Sequence, residues 1–299
     1  MKFLNKLIVN FVKILPKSVV FIFAKKYIAG VKLDDAVRVV KELNAKGIAA
    51  TMDVLGESVK NKKEAEEAKN ECLTVLDAIK NNNLNSNLSV KPTQLGLIID
   101  PDFCYAQLSE ILDKAKAYNN FVRIDMEDSS TTDLTIELLN KLREKYDNVG
   151  IVVQAYLKRT LNDVKKLNKA GTNYRLCKGI YIEPEEIAYK ERNRVRENYL
   201  DALELMLDNG NYVGIATHDD FLVKSAYHLI EEKSIPKNRF EFQMLYGVTE
   251  HLRNKVNADG YKMRIYVPFG EHWYAYSIRR LQENPQLAWY ITKSIFSFN

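Results

Sequence analysis

Eight short apolar stretches, each followed by a segment of helical period, restrict this 299-residue chain more than any other feature. The strand candidates are Ile48 to Leu55, Leu88 to Lys91, Phe121 to Asp125, Val149 to Gln154, Tyr174 to Lys178, Tyr212 to Ala216, Phe240 to Met244 and Lys262 to Val267. A helix from Asp34 to Ala45 precedes them, with Ala36, Val37, Val40 and Leu43 on one face and Gly47 as its stop. Between the strands, Ala65, Ala68, Cys72, Leu76 and Ile79 recur at helical spacing, and Pro101 and Asp102 open a helix through Leu112. Further helical stretches fall near 132–146, 160–169, 185–209, 219–233 and 246–257, with a last one from about His272 to Glu283. Leu97-Ile98-Ile99 competes with Leu88 to Lys91 for the second strand. The earlier segment is preferred because Pro101 follows the later one so closely.

Eight strand–helix pairs in sequence order predict an α/β fold, a TIM-like (β/α)8 barrel. The length agrees, since setting aside an amino-terminal arm leaves about 250 residues. An open doubly wound sheet is the competitor, but Leu55-Gly56-Glu57 after the first strand lacks its glycine pattern, and no phosphate-loop motif occurs. The expected organisation is a helical arm over 1–47, a barrel over 48–285 and an apolar tail over 286–299.

With 46% apolar and 28% charged residues the chain can bury a core, and its net charge of +5 is too small and too evenly spread to suit nucleic acid. Cys72, Cys104 and Cys177 form no C-x-x-C pair, which fits a reducing compartment. The four histidines, His218, His228, His251 and His272, lack ligand spacing, so no metal is expected. No apolar run approaches the ~18 residues of a spanning helix, which makes a cytoplasmic location the starting expectation.

The ends qualify that expectation. Residues 1–30 interleave Phe3, Leu4, Leu7, Ile8 and Phe11 with lysines, then run through Val19 to Ala24 into Lys25-Lys26. This pattern suits a helix lying on an anionic membrane surface and equally an arm packed on its own domain. The tail, with Leu287, Trp289, Tyr290, Ile295, Phe296 and Phe298, poses the same alternative.

Barrel active sites lie at the carboxyl ends of the strands. Here those ends carry Asp53, Lys91, Asp125, Gln154, Lys178, Thr217 with His218, Gln243 and Tyr266. Lys91 and Lys178 follow apolar strands, where an unpaired ammonium is costly, so each requires an anionic partner. A Schiff-base lysine is an open alternative. After the eighth strand, Arg279 and Arg280 lie within a helical turn of Glu283, with Tyr276 one turn earlier. Two guanidinium forks beside aromatics could clamp a small carboxylate; a solvated Arg-Arg-x-x-Glu face is the plain alternative. Cys177 is expected to pack the barrel on the face away from Lys178, and Glu127 and Asp128 to cap the following helix.

The blocks Asn173 to Tyr181, Ala216 to Asp219, Phe240 to Gly247 and Arg264 to Glu283 strongly resemble flavin-dependent proline dehydrogenase. Asp53-Val54-Leu55-Gly56-Glu57, Val90-Lys91 and Ile124-Asp125-Met126-Glu127 match earlier blocks in the same order. The likeness covers 48–285. It implies a distorted (β/α)8 barrel that binds FAD, oxidises L-proline to Δ1-pyrroline-5-carboxylate and passes electrons to a membrane quinone. A peripheral membrane contact would serve that acceptor. The chain is too short for the second, aldehyde dehydrogenase module of bifunctional relatives and looks monofunctional.

Carried over by position, the resemblance implies that Arg175 lies beside the flavin N5 and that Gln154 and Lys178 contact its ring system. Met126, Gly179, Ile180, Thr217 and His218 complete the expected cofactor site. Lys91, Arg279 and Arg280 would hold the substrate carboxylate, with Glu283 beside them. Asp125 aligns with the family's active-site aspartate, and Tyr181, Leu245, Tyr266 and Tyr276 would wall the proline ring. Glu57 would pair with Arg279 as a gate. Tyr266 implies a preference for proline over 4-hydroxyproline.

The chemistry is consistent with these roles. Proline offers a carboxylate, an amine and an apolar ring, so its site needs cations at one end and aromatic walls elsewhere. Its amine must be unprotonated when hydride leaves; no single general base is assigned. Two other readings stand beside this one: a methylenetetrahydrofolate-reductase-like flavin barrel, opposed by the paired arginines, and a non-enzymatic membrane-surface module, opposed by the polar strand ends.

Overall fold

The strand β1 (Ala49–Val54) lies between β2 (Ser86–Val90) and the last strand, β8 (Met263–Phe269): Ala50 faces Ser86 on one side and Ile265 on the other. The computed structural model describes residues 16–56, 58–168 and 171–283. With β3 (Val122–Ile124), β4 (Val149–Gln154), β5 (Asn173–Cys177), β6 (Tyr212–Ala216) and β7 (Phe240–Leu245), the strands pair in parallel, each with its neighbours in sequence, and the ring closes. The expected barrel is the observed one. Leu97 to Ile99 belong to a turn, not a strand, as the preference for the earlier segment required.

The helices are α1 (Lys17–Ala24), α2 (Leu33–Asn44), α3 (Lys62–Asn81), α4 (Pro101–Ala117), α5 (Thr132–Arg143), α6 (Thr160–Leu167), α7 (Arg192–Asp208), α8 (Asp220–Glu232), α9 (Glu250–Ala258) and α10 (Trp273–Glu283). Two begin later than their sequence pattern predicts. Residues 185–191 are a turn rather than the start of α7, because Leu157 pairs with Ala188 in an isolated bridge and Tyr189 N donates to Tyr156 O. Ahead of α9, Gly247 (φ +70°) and Thr249 (φ 45°) take left-handed conformations that a helix cannot include.

Side chains alternate across each strand, and the two faces differ in chemistry. Outward-facing Met52, Leu88, Ile124, Leu176, Ile215 and Phe242 are buried under the helical ring. Each contributes about 1.5–3 kcal/mol by leaving water. The inward face is polar where such barrels usually stack branched apolar residues. In its lower layer Arg264 Nε donates to Glu241 Oε1 (2.6 Å) and Nη1 to Asn87 Oδ1 (2.9 Å), while Arg123 Nη1 donates to Asn173 O (2.6 Å). Glycine makes room for the long side chains. A Cβ at Gly150 would lie 2.5 Å from Arg123 Nη1.

The described part of the arm is not separate from the barrel. Ala24, Tyr27 and Ile28 are buried with Leu55 and Tyr276, and the Phe21 and Trp273 rings stand 4.8 Å apart. Ala29 N donates to Pro268 O (2.9 Å), and Lys26 O fills the space beside Gly247, 1.5 Å from where a Cβ would be. Helix α2, assigned to the arm by sequence, packs on β1 and β8. Residues 1–15 and the tail 286–299 lie outside the described residues. Among the described residues no helix is long and apolar enough to cross a membrane.

Candidate active site

Lys91 leaves β2 just before Pro92 starts a tight helical turn, and that exit aims its side chain across the barrel mouth. Its Nζ lies 2.7 Å from Asp53 Oδ1, 3.5 Å from Asp125 Oδ2 and 3.2 Å from the Tyr266 hydroxyl. Tyr266 donates in turn to Asp125 Oδ2 (2.8 Å), and Ser89 donates to Asp125 Oδ1 (2.6 Å). Arg175, pointing inward from β5, donates through Nη1 to the same Asp125 oxygen (2.8 Å) and through Nε to Gln243 Oε1 (2.6 Å). Its guanidinium carbon stands 5.1 Å from the Tyr266 ring centroid, and its Nη2 is buried with no hydrogen-bond partner among the described residues.

Two lysine–arginine charges and two aspartates thus share one buried network, and their surroundings separate the carboxylates. Burial pushes Asp125 up, but Lys91, Arg175 and the hydroxyls of Ser89 and Tyr266 outweigh it and hold its carboxyl below the usual range. Asp53 is raised instead: burial dominates, with Lys91 opposing it and Asp125 adding repulsion. Burial works against the Lys91 ammonium, yet Asp53, Tyr266 and Asp125 carry it well above its ordinary value. Burial raises Tyr266 well above 10.

A second cluster surrounds Asp219, which caps α8 by accepting from Phe221 N (3.2 Å). Arg196 Nη2 lies 2.7 Å from Asp219 Oδ1, and Lys178 Nζ and Arg192 Nη2 each lie 3.5 Å from Oδ2. Against its burial, Arg196 and Lys178 bring this carboxyl down to about 2. Three cations on one carboxylate leave positive charge at the rim. Thr217 Oγ1 accepts from Asp219 N (3.1 Å). His218 Nε2 accepts from Leu245 N (3.1 Å), so Nδ1 carries the hydrogen and donates to Thr249 Oγ1 at 2.7 Å.

Between these clusters, Gln154 Nε2 donates to Glu127 O (2.8 Å), and Met126 is buried beside it in sequence. Gly179 adopts φ +105°, and a Cβ there would lie 2.0 Å from the Tyr156 ring. Ile180 is exposed and Tyr181 half-buried. Glu183 ties this loop to the one after β3 by accepting from Ser129 N (2.7 Å). Tyr276 and Lys91 line one cavity of about 550 Å³ with Leu55, Gln94 and His272. Arg279, Arg280 and Glu283 lie on α10, but their side chains, and Glu57 entirely, are outside the described residues.

The anionic partners that Lys91 and Lys178 required are therefore protein carboxylates. Glu127 accepts from Thr93 N (2.9 Å) and Thr93 Oγ1 (2.6 Å) in the short helical turn opened by Pro92, and Asp128 receives Ser130 N. Cys177 shares the inward face of β5 with Arg175, two residues on, and rests against the core. Sequence reasoning names Asp53 and Gln243 only as polar strand ends, without a specific role, and gives none to Ser89 and Asp219. Ser89, Asp53 and Gln243 each alternate with outward apolar residues, and that alternation is the signal that finds them.

Residues 36–289 match the family model described as proline dehydrogenase. The chain is 40% identical over 262 residues to proline dehydrogenase 2 of Bacillus subtilis (strain 168), covering 88% of this chain and 86% of that protein. It is 38% identical over 272 residues to proline dehydrogenase 1 of the same strain, covering 91% and 90%. Among solved structures it resembles proline utilization A (PutA) from Bdellovibrio bacteriovorus inactivated by N-propargylglycine, with a TM-score of 0.82 and 29% identity. That match covers 88% of this chain and 32% of the longer one. An eight-stranded barrel with a charged mouth, matched over most of its length by proteins of one activity, has a single reading: the chain belongs to the proline dehydrogenase family.

Proposed function

We propose that the protein catalyses the FAD-dependent oxidation of L-proline to Δ1-pyrroline-5-carboxylate, the first step of proline catabolism to glutamate, with a membrane quinone as final electron acceptor. The observation that carries this reading is the buried Lys91–Asp125–Arg175–Tyr266 network at the carboxyl ends of the strands.

The residues present fit a flavin. Arg175 keeps a buried Nη2 that has no partner among the described residues, a donor suited to an electron-rich ring atom. The backbone at Gly179 runs where a side chain could not, and the cations around Asp219 suit a diphosphate. Arg175, Lys178, Gln154, Met126, Gly179, Ile180, Thr217 and His218 would hold the cofactor. When bound, it supplies the hydride acceptor at N5.

The chain's own part is binding and orientation. Lys91, Arg279 and Arg280 would take the carboxylate, Glu283 would orient the arginines, and Glu57 would close on Arg279. Tyr181, Leu245, Tyr266 and Tyr276 enclose the ring, holding the carbon beside nitrogen in near-attack geometry. Asp125, kept ionised, anchors Lys91, Arg175 and Tyr266 in one arrangement. Arg175 would stabilise negative charge as the oxidation proceeds.

The amphipathic amino terminus fits peripheral contact with the inner face of the cell membrane, where a lipid-soluble quinone resides. The visible spectrum before and after anaerobic L-proline tests the whole reading. A bound flavin that bleaches with L-proline and not with D-proline is expected; no flavin after adding FAD overturns it.

A further inference from the structure

Two buried carboxylates at the barrel mouth grip their neighbours in the same way. Glu127 takes Thr93 N on one oxygen and Thr93 Oγ1 on the other. Glu183 takes Ser129 N (2.7 Å) on Oε1 and Ser129 Oγ (2.6 Å) on Oε2. The two clasps meet in the run from Asp125 to Ser129, and Gln154 steadies the middle of that run by donating to Glu127 O. Glu127 and Glu183 are only 4% and 7% exposed, so each carboxylate depends on these donors to offset the water it has lost.

The clasp of Glu183 falls where the loop after β5 has turned away from its anchors. Both ends of that loop are fixed on the loop after β4: Tyr156 N donates to Lys178 O (2.7 Å), Lys158 N to Ile187 O (2.9 Å) and Tyr189 N to Tyr156 O (2.8 Å). Between those ends Glu183 reaches the other way, to the loop after β3. Its own backbone is constrained as well, because Pro184 restricts it to extended conformations and Lys190 Nζ donates to its carbonyl. A carboxylate that accepts an N–H and an O–H from one residue resists rotation that a single hydrogen bond would allow. Tyr181, two residues before Glu183, is thereby held at a set distance from Asp125, four residues before Ser129.

We propose that Glu183 is a positioning residue for ring-size selection: through Ser129 it fixes the separation of Tyr181 from Asp125, and with it the width left for the substrate ring. This deepens the proline-oxidation reading and rests on it. A rigid wall rejects a ring with one more methylene, and discrimination of that kind amounts to about 10–200-fold. With the clasp removed the wall yields, so the larger ring gains relative to the smaller one. A clasp that served folding alone would lower the rates for both rings by the same factor.

Steady-state kinetics of the flavin-loaded protein with L-proline and with L-pipecolate, its six-membered homologue, test this with a dye acceptor. Glu183→Ala should raise the ratio of pipecolate to proline kcat/KM about tenfold, chiefly through a higher KM for proline at nearly unchanged kcat. Glu183→Gln should keep the wild-type ratio, since its amide accepts from Ser129 N and donates to Ser129 Oγ. Ser129→Ala deletes one hydroxyl and leaves Glu183 in place; it should shift the ratio about threefold in the same direction, and it decides the matter if Glu183→Ala does not fold. A ratio unchanged in Ser129→Ala and in any Glu183→Ala that folds, whether or not both rates fall, overturns the proposal while leaving proline oxidation intact. A wild type whose flavin does not bleach with L-proline removes the proline reading, and this role with it.

Discussion

The amide of Gln243 occupies the space that a side chain on Gly214 would take: a Cβ built there falls 2.4 Å from Gln243 Nε2. In the register of these adjacent strands Gly214 lies opposite Glu241, two residues before Gln243, and Gln243 uses the gap to reach Arg175 with Oε1 and Glu241 with Nε2. A single missing methyl thus links the lower ionic layer to the upper one.

Gly214→Ala should therefore act on the site without touching it. The new methyl displaces the Gln243 amide, and Arg175 loses one of its fixed acceptors. Proline turnover is expected to fall about tenfold to a hundredfold, with thermal stability reduced by about 1–3 kcal/mol. Steady-state kinetics with a dye acceptor, alongside a melt, check both.

Glu241 bears on acid stability. Burial would raise its carboxyl, but Arg264 and Lys262 bring it from 4.5 to about 2. Folding favours the ionised form, so its contribution is complete above 4.5 and disappears as the pH falls towards 2. Glu241→Gln should cost about 3 kcal/mol at pH 7, because the half-buried Arg264 would lose its compensating carboxylate. The difference between the two proteins should narrow below pH 4.5 in denaturant titrations.

Phe21 supports the helix that carries Tyr276. Phe21→Ala removes its ring from Trp273, and α10 then loses a packing partner on the arm side. The KM for proline should rise about tenfold, corresponding to about 1.4 kcal/mol, with kcat at saturation nearly unchanged. For the same reason, a test of membrane partitioning should remove only residues 1–15, since deleting 1–30 would also strip Tyr27 and Ile28 from Tyr276.

Tyr266 combines binding and selection. Tyr266→Ser removes the donor to Asp125 and the acceptor beside Lys91, so proline turnover should fall by about tenfold. Its removal should also open space for a ring hydroxyl. The ratio of 4-hydroxyproline to proline kcat/KM should rise, as competition between the two substrates would measure.

The barrel was legible because apolar runs of strand length alternate with helical periods, a pattern set by backbone geometry and visible one segment at a time. Val149 to Gln154 and Tyr212 to Ala216 match their strands residue for residue. The partners within the site were less legible. Nothing near Asp53 in sequence announces Lys91, 38 positions away, and Ser89 looks like an ordinary polar strand residue until β3 places Asp125 beside it. Local spacing makes Glu127 look like a cap for the helix that follows, and nothing near it in sequence announces Thr93, 34 positions earlier, which donates to its carboxylate twice. The start of α7 was misread for a similar reason: residues 185–191 have a helical composition, and a bridge to another segment claims their backbone.

Closure of the ring also sets an order of events during synthesis. Arg264 reaches the Ala50 carbonyl across 214 positions of sequence, and β1 completes its pairing only against β8. At about 5–20 residues per second, roughly 10–40 seconds separate the emergence of those two strands from the ribosome. Throughout that interval β1 has at least one open edge, and the arm, whose seat is formed by Gly247, Pro268 and Tyr276, has nowhere to dock. The arm from Phe21 to Ile28 is made before every strand of the barrel yet finds its seat only after β8 and α10 exist, so a chaperone that shields it would act on a segment waiting for residues about 250 positions later.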